Sequence, residues 1–200
     1  MKNPNLRITL LAVALGVASQ PYAQTLEIKI GHVAPLTGGI AHLGKDNENG
    51  ARLAIDEANA ARIRIGGREA KFTLVAEDDQ ADPKVGTTVA QKLVDARVAG
   101  VVGHLNSGTT IPASAIYNQA GIPVITGSAT NPKLTEQGFK VTFRTVGRDD
   151  QQGPAIASYL ASSKKPKLVA VIDDATAYGE GIANEVEKTL KAANIKVLPR

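Results

Sequence analysis

The chain alternates short extended apolar stretches with longer stretches in which apolar residues recur at helical spacing. This alternation limits the possible folds more than any other feature. The extended stretches lie at residues 26–33, 71–78, 100–105, 122–126, 140–146, 167–173 and 195–199. Val85, Val89 and Leu93 illustrate the helical spacing between them. Strands that alternate with helices pair in parallel through crossover helices, so the sequence predicts an α/β fold.

Two of the predicted strands, within residues 98–103 and 167–172, are apolar on both faces. Such strands belong to sheets that helices cover on both sides, so we predict doubly wound, mostly parallel sheets. Asp82 before Pro83 marks the start of a helix. It combines a capping carboxylate with a proline at a position where the missing N–H costs nothing.

The regular pattern is interrupted at residues 146–150 by glycine and charged residues. We expect a first lobe over residues 24–146, then a hinge crossover and the start of a second lobe over residues 147–200, with a ligand cleft beyond the carboxyl ends of the strands. Asp149 or Asp150 is expected to cap the first helix after the break. The second part has too few elements for a covered sheet, which indicates a fragment of a longer protein or a surface covered by another chain. A fragment is the simpler interpretation.

The N-terminus predicts a cleaved secretory signal peptide, residues 1–23. Lys2 and Arg7 flank the start of an apolar run, residues 8–18, which is shorter than the roughly 20 apolar residues needed to span a bilayer. No second apolar stretch in the chain could span a membrane, so the mature protein is expected to be soluble. An uncleaved anchor is the alternative.

Charge and composition exclude several classes of function. The sequence has 23 basic and 19 acidic residues, and loss of the signal peptide brings the charge still closer to neutral, which gives no indication of nucleic-acid binding. It has no cysteine, which excludes a lipoprotein anchor, thiolate catalysis and cysteine metal sites. His32, His42 and His104 share no metal-ligand spacing and are expected at the surface or in loops. We predict neither a metal nor a cofactor.

Residues 101–114, VVGHLNSGTTIPAS, lead from an apolar strand into small hydroxylated residues and allow three interpretations of Ser107. A hydrolase nucleophile elbow needs glycine two residues before and after the serine, whereas this chain has Leu105 and Thr109 there. A phosphate-binding loop needs a GxxxxGK[ST] or GxGxxG pattern, which this chain does not carry. The third interpretation is a binding site for a small anion, because the first N–H groups of a helix have no hydrogen-bond acceptor within the helix.

Pro112 is expected in the first turn of the helix that follows, which would make Thr109 or Thr110 its cap and leave Ser107 just ahead in the loop. A purely capping role for these hydroxyls is the alternative. A second loop, residues 126–132 with the sequence TGSATNP, also follows a strand end. It should meet the first loop at one edge of the sheet, although an ordinary Asn-Pro turn explains it on local grounds.

Five further stretches are distinctive when taken together: IKIGHVAPLTGGIAHLGKDNENGARLAIDEAN, EDDQADP, TNPKLT, RDDQQGPAIA and YGEGIA. Together they resemble the branched-chain amino-acid binding proteins of bacterial ABC transporters, which are type I periplasmic binding proteins. The resemblance covers residues 26–200 and implies two α/β lobes that close on an amino acid and deliver it to a membrane permease. Members of that family are nearly twice this length, so the chain resembles the main segment of the first lobe and the opening of the second.

The resemblance also implies roles for individual residues. Ser107 would bind the ligand α-carboxylate through its hydroxyl and its N–H, with assistance from Thr130. The carbonyl of Ser128 would receive the α-ammonium, and Tyr178 would contact the ligand when the lobes close. The family's acidic partner for the ammonium lies beyond residue 200.

Two positions bear on the identity of the ligand. Leu43 stands near a position where close relatives often carry an aromatic residue, so the pocket stays apolar but changes shape, and Asn106 adds polarity beside Ser107. We expect a leucine, isoleucine or valine ligand and a monomeric protein. The alternatives are a receptor for an amide, urea or aromatic acid on the same fold and, from a different class, a secreted serine hydrolase. Residues 24–200 alone are expected to bind weakly or not at all.

Overall fold

The computed structural model describes residues 25–200, so the predicted signal peptide, residues 1–23, lies outside the described residues. The strands are β1 Leu26–Ala34, β2 Arg64–Ile65, β3 Arg68–Asp78, β4 Gly100–Gly103, β5 Val124–Thr126, β6 Thr142–Arg144, β7 Leu168–Val169 and β8 Lys196–Val197. The helices are α1 Ala41–Ala60, α2 Pro83–Asp95, α3 Ser107–Ala120, α4 Lys133–Glu136, α5 Asp149–Tyr159 and α6 Ala177–Ala192, with a π-helical turn at Leu160–Lys164. None of the described helices has the length and apolar character needed to cross a membrane.

Strand pairing confirms the predicted α/β fold. Six strands form one sheet in the order β2-β3-β1-β4-β5-β6, and every neighbouring pair is parallel except the antiparallel β2–β3 pair. β7 and β8 form a separate parallel sheet of two strands. The chain moves outward from β1 to β3 and then returns to β4 on the other side of β1. Ligand crevices in open α/β sheets lie at such a reversal, beyond the carboxyl ends of the strands.

The main core lies on the sheet face that α2 and α3 cover. Val33, Val101 and Val124 of three neighbouring strands are buried there against residues of both helices, namely Val89, Ala90, Leu93, Ala113 and Tyr117. Leu93 is fully buried, and a Cβ on Gly31 would lie 2.8 Å from its Cδ1. Glycine at position 31 therefore lets α2 pack closely on β1.

The opposite face of the sheet is only partly covered. α1 packs over its β1–β3 side, where a cleft of about 530 Å³ lies between the helix and the strands. Farther along the same face, Ile125 of β5 pairs in register with Phe143 of β6, and these side chains are 40% and 50% exposed. Helices therefore lie on both faces, but the second face is open at its β5–β6 side.

The start of α2 agrees with the sequence prediction. Asp82 is the N-cap, and its carboxylate accepts the N–H groups of Lys84 and Val85 at 2.7 and 3.0 Å. Pro83 is the first helical residue. The capping side chain and the proline therefore act together at this end of the helix.

The predicted cap of α5 is wrong. Arg148 is the N-cap, and Asp149 and Asp150 lie in the first turn of the helix. The Gln151 side chain accepts the Arg148 N–H at 3.0 Å, while the Asp150 carboxylate pairs with the Arg148 guanidinium at 2.7 Å. Asp150 therefore binds a side chain instead of the helix N–H groups, and Asp149 is buried.

Leu93→Ala is expected to lower the free energy of unfolding by about 2–5 kcal/mol, because it opens a cavity in the centre of the main core. The matched control is Leu53→Ala on α1, since Leu53 is 60% exposed. The control should change stability by less than about 0.5 kcal/mol. Urea unfolding followed by circular dichroism measures both variants, and equal effects would contradict this description of the core.

Candidate functional site

Two hydroxylated loops meet at the carboxyl ends of β4 and β5, as parallel pairing of these strands predicts. The hydroxyl of Ser128, after β5, donates to the Leu105 carbonyl, after β4, at 2.7 Å. In the other direction, the Asn131 N–H donates to the Ser107 hydroxyl oxygen at 3.3 Å. The loops are thus linked in both directions, and this link brings Ser107, Ser128 and Thr130 together.

The helix after β4 begins earlier than the sequence predicts. α3 starts at Ser107 with Asn106 as its N-cap, so the prediction that Thr109 or Thr110 caps it is wrong. Pro112 is the sixth helical residue and lies beyond the first turn. The N–H and hydroxyl groups of Thr109 and Thr110 all bond to the Asn106 carbonyl and hold the first turn, whereas Pro112 has no N–H to donate to the carbonyl of residue 108.

The earlier start places Ser107 at the first helical position. Its N–H is one of the donors that a helix leaves without an intrahelical partner. The residue is 1% exposed, and its hydroxyl oxygen accepts the Asn131 N–H, so the hydroxyl proton remains free to donate. Ser107 therefore presents an O–H and an N–H at the positive end of the helix dipole, which suits an oxyanion.

Other polar groups of the two loops are also buried. Thr130 Oγ1 and Asn106 Oδ1 have no hydrogen-bond partner in the part of the chain that the structure describes. The hydroxyl of Ser128 is used by the Leu105 carbonyl, so Ser128 can offer a ligand only its backbone groups.

Tyr178 and Leu43 lie outside the two loops and are exposed. Tyr178 is the second residue of α6 and Leu43 lies in the first turn of α1, and their exposed fractions are 47% and 48%. The start of α6 is nevertheless tied to the second loop, because Asn131 Nδ2 donates to the Ala177 carbonyl at 2.6 Å. The structure therefore brings the four predicted loop residues together and leaves these two side chains in solvent.

A buried chain of three polar side chains lies behind the loops, and the sequence did not suggest it. Asp79 Oδ2 is 3.0 Å from His104 Nδ1, and His104 Nε2 is 3.0 Å from the Tyr117 hydroxyl. All three side chains are fully buried. Asp79 and His104 both follow the carboxyl ends of strands of one sheet, a signal that could have placed them at the same edge.

Burial determines the protonation of the tyrosine in this hydrogen-bonded network. Burial raises the pKa of Tyr117 far above its ordinary value, so the hydroxyl stays protonated and has a proton that it can donate to His104 Nε2. The Asp79 carboxylate is an acceptor, so the bond on the other side of the ring is donated by His104 Nδ1. Because both ring nitrogens are engaged, His104 cannot take a proton from Ser107.

The expectation that the histidines lie at the surface or in loops is wrong for His32, which lies within β1, whereas His104 does lie in a loop, directly after β4. His32 and His104 are both fully buried, whereas His42 is exposed. His32 Nδ1 lies 3.0 Å from the Val102 carbonyl, and burial lowers the pKa of the ring, so a neutral His32 donates this bond. In residues 25–200, no cluster of histidine, aspartate and glutamate side chains is arranged to hold a metal ion.

Asp149 is a further buried residue beside the second loop. Its N–H donates to the Thr130 carbonyl at 3.0 Å, which ties the start of α5 to this loop. Its side chain is fully buried, and neither carboxylate oxygen forms a hydrogen bond of normal geometry with a described residue. Burial raises the pKa of Asp149, while the nearby Thr130 hydroxyl and the Arg144 charge lower it.

The sequence matches a family described as periplasmic binding protein over residues 27–200. The leucine-, isoleucine-, valine-, threonine- and alanine-binding protein of Pseudomonas aeruginosa is 41% identical over 199 residues, which cover 98% of this chain and 52% of the relative. The leucine-specific-binding protein of Salmonella typhimurium is 39% identical over 190 residues, or 95% of this chain and 51% of the relative. The chain thus spans about half the length of the curated relatives it matches.

A solved structure shows the same architecture. The branched-chain amino acid transporter substrate binding protein of Streptococcus pneumoniae, in complex with isoleucine, superposes with a TM-score of 0.75 at 33% identity. The superposition covers 86% of this chain and 48% of that protein. It confirms the type I fold that the sequence resemblance implies.

Tyr117→Phe removes the donor to His104 Nε2 and keeps the aromatic ring. A buried acceptor without a partner costs about 1–3 kcal/mol, so the free energy of unfolding should fall by that amount. Tyr159→Phe is the matched control, because Tyr159 is 58% exposed and its hydroxyl can bond to water. If urea unfolding gave the same small change for both variants, the hydrogen bond between Tyr117 and His104 would not stabilise the fold as described.

Proposed function

Because the chain belongs to the periplasmic binding protein family, we propose that it forms the carboxylate-binding part of a solute receptor for branched-chain amino acids, working with an ABC importer. The observation that carries the proposal is the linked pair of loops. In these loops Ser107 offers an O–H and an N–H, and Thr130 offers a buried hydroxyl without a partner. The relatives named as leucine- or leucine-, isoleucine- and valine-binding proteins support the ligand class.

The loops supply the groups that an α-carboxylate and an α-ammonium need. Ser107 and Thr130 donate to the carboxylate, and the Ser128 carbonyl accepts from the ammonium. Hydrogen bonds to charged groups contribute about 1.5–3 kcal/mol each. Three or four of them reach the roughly 8 kcal/mol of micromolar binding.

Closure of two lobes would complete the site. We assign residues 24–146 to the first lobe and residues 147–200 to the hinge crossover and the start of the second, a division that the two separate sheets support. Tyr178, exposed at the start of α6, then contacts the ligand on hinge closure. Leu43 supplies an apolar wall for the ligand side chain, and Asn106 adds a polar atom beside it.

The proposed receptor acts in the periplasm after removal of residues 1–23 and passes its ligand to a membrane permease. It binds as a monomer, without a metal or a cofactor, and performs no chemistry on the ligand. The relatives are named as binding proteins, which supports this assignment.

Two other functions make different demands on the site. A receptor for an amide, urea or aromatic acid would use the same fold with a different set of polar groups. A secreted serine hydrolase would need a base beside Ser107, and both nitrogens of His104 are already engaged.

A thermal-shift screen of amino acids, amides and aromatic acids separates these functions. Only branched-chain and similar amino acids are expected to raise the Tm of the full-length protein, because a ligand stabilises the state that binds it. An ester and amide hydrolysis assay on the same sample should show no turnover. A Tm rise with amides alone, or measurable turnover, would favour one of the other functions.

Ser107→Ala is expected to weaken leucine binding by the full-length protein about 10- to 100-fold, because one hydrogen bond to the carboxylate is lost. Ser158→Ala, at an exposed position on α5, is the matched control and should leave the affinity unchanged. Isothermal calorimetry measures both variants. Unchanged affinity in Ser107→Ala would remove this residue from the binding site.

A further inference from the structure

Asn131 of the second loop forms a hydrogen bond through each of its polar groups. Its N–H donates to the Ser107 oxygen at 3.3 Å, and its carbonyl accepts Arg144 Nη1 at 2.9 Å. Its side-chain oxygen accepts the Lys133 N–H at 3.0 Å, which fixes the orientation of the amide. The amide nitrogen donates to the Ala177 carbonyl at 2.6 Å, 46 residues along the chain. The backbone of Asn131 therefore belongs to the two loops, whereas its side chain reaches the start of α6.

Between α3 and α6 there is a pocket instead of packed side chains. It has a volume of about 280 Å³ and is bordered by Pro112 of α3 and by Gly181 of α6. The buried apolar side chains of α6, such as Val186, form a cluster with Ala157 of α5. The helix pair α5–α6 therefore holds together as a unit and has room to move relative to α3, and the Asn131 side chain bonds to this unit beside the pocket.

Hydrogen bonds attach the helix pair α5–α6 to the second loop at two places. At the start of α5, the Asp149 N–H donates to the Thr130 carbonyl at 3.0 Å. At the start of α6, the Ala177 carbonyl accepts the Asn131 side chain. A body that is held at one place can rotate about it, whereas attachment at a second place fixes its orientation. Loss of the Asn131 side chain therefore frees the start of α6 to move while α5 stays attached.

Gly181 allows α6 to come this close to the second loop. A Cβ at position 181 would lie 2.7 Å from the Asn131 amide nitrogen and 2.6 Å from Asp149 Oδ2, so a larger residue would push α6 away. Gly181 is the fifth residue of α6, inside the helix, where alanine is the better helix former. The contact with the second loop therefore explains this glycine, whereas the helix itself does not.

We propose that Asn131 is a positioning residue, which joins the two ligand-binding loops to α6 and so places Tyr178 for contact with the ligand. This inference rests on the proposed function. The Ala177 carbonyl belongs to the peptide bond that leads into Tyr178, so the bond from the Asn131 side chain fixes that peptide. The N–H of the same residue fixes the Ser107 oxygen. Because the start of α6 is held in place in advance, the ligand does not bear the cost of ordering it.

Asn131→Ser in the full-length protein tests the side-chain bond alone. Serine keeps the N–H that donates to Ser107 and an oxygen that can accept the Lys133 N–H, but it has no amide to reach Ala177. Leucine affinity, measured by isothermal calorimetry, should fall about 3- to 10-fold. In a protein that carries Tyr178→Ala, the same substitution should change the affinity by less than about twofold, because the side chain that α6 positions is gone.

Asn59→Ser is the matched control, because Asn59 is also half-buried and its amide nitrogen donates to a backbone carbonyl, that of Phe72, at 2.9 Å. These two residues lie in α1 and β3, outside the two loops and α6. Asn59→Ser should lower the free energy of unfolding in urea at least as much as Asn131→Ser and leave leucine affinity unchanged. An equal loss of affinity in the two variants would reduce the effect of Asn131 to stability and overturn the inference.

Gly181→Ala changes the same contact from the side of α6 and covers the case in which Asn131→Ser does not fold. The added methyl group should displace α6 from Asn131 and weaken leucine binding at least about 3-fold. Gly50→Ala on α1 is its control, because a Cβ at position 50 would have open space around it, and it should leave the affinity unchanged. Equal affinities in Gly181→Ala and Gly50→Ala would contradict the inference.

The remaining outcomes separate this inference from the proposed function. Unchanged leucine affinity in Asn131→Ser, or an equal loss with and without the Tyr178 side chain, would overturn the inference and leave the proposed function standing. If the unaltered full-length protein did not bind leucine or a similar amino acid, the proposed function would fail and the inference with it.

Discussion

The hydrogen bonds that converge on the backbone of His104 and Leu105 hold the candidate site together. The His104 carbonyl accepts the Thr126 hydroxyl at 2.8 Å and the Thr110 hydroxyl at 3.3 Å, and the Leu105 carbonyl accepts the Ser128 hydroxyl at 2.7 Å. Both loops are therefore fastened to one short segment after β4. The ring of the same histidine is fixed in the buried polar chain, so the position of the loops depends on the packed interior behind them.

The fold class could be predicted because it follows from local patterns that need no tertiary information. Apolar stretches alternate with helical spacing, and Asp82 with Pro83 marks a helix start that the structure reproduces. The start of α3 could not be predicted in the same way. Proline usually belongs to the first turn, but α3 begins at Ser107, five residues before Pro112, and its first turn is held by threonine bonds to the Asn106 carbonyl that the sequence does not reveal.

The meeting of the two loops could also be predicted, because parallel neighbouring strands end at the same edge of a sheet. The buried polar residues could not. His104 lies 25 residues from Asp79 and 13 from Tyr117, and no local pattern links the three. Asp149 and Asp150 look alike in sequence, as two acids at a helix start. Only the packing of α6 against the second loop distinguishes the buried one from the surface ion pair.

The hydrogen bonds of His104 leave Ser107 without a catalytic base, and for the same reason its hydroxyl keeps the proton that it needs to bind an anion. A serine hydroxyl becomes a nucleophile when a neighbouring base takes its proton, and the imidazole of His104 is engaged on both sides. The hydroxyl therefore keeps its proton and remains a donor, beside a helix N–H that is a donor as well. Fixed donors that need no change in their protonation state are suited to an anion such as a carboxylate.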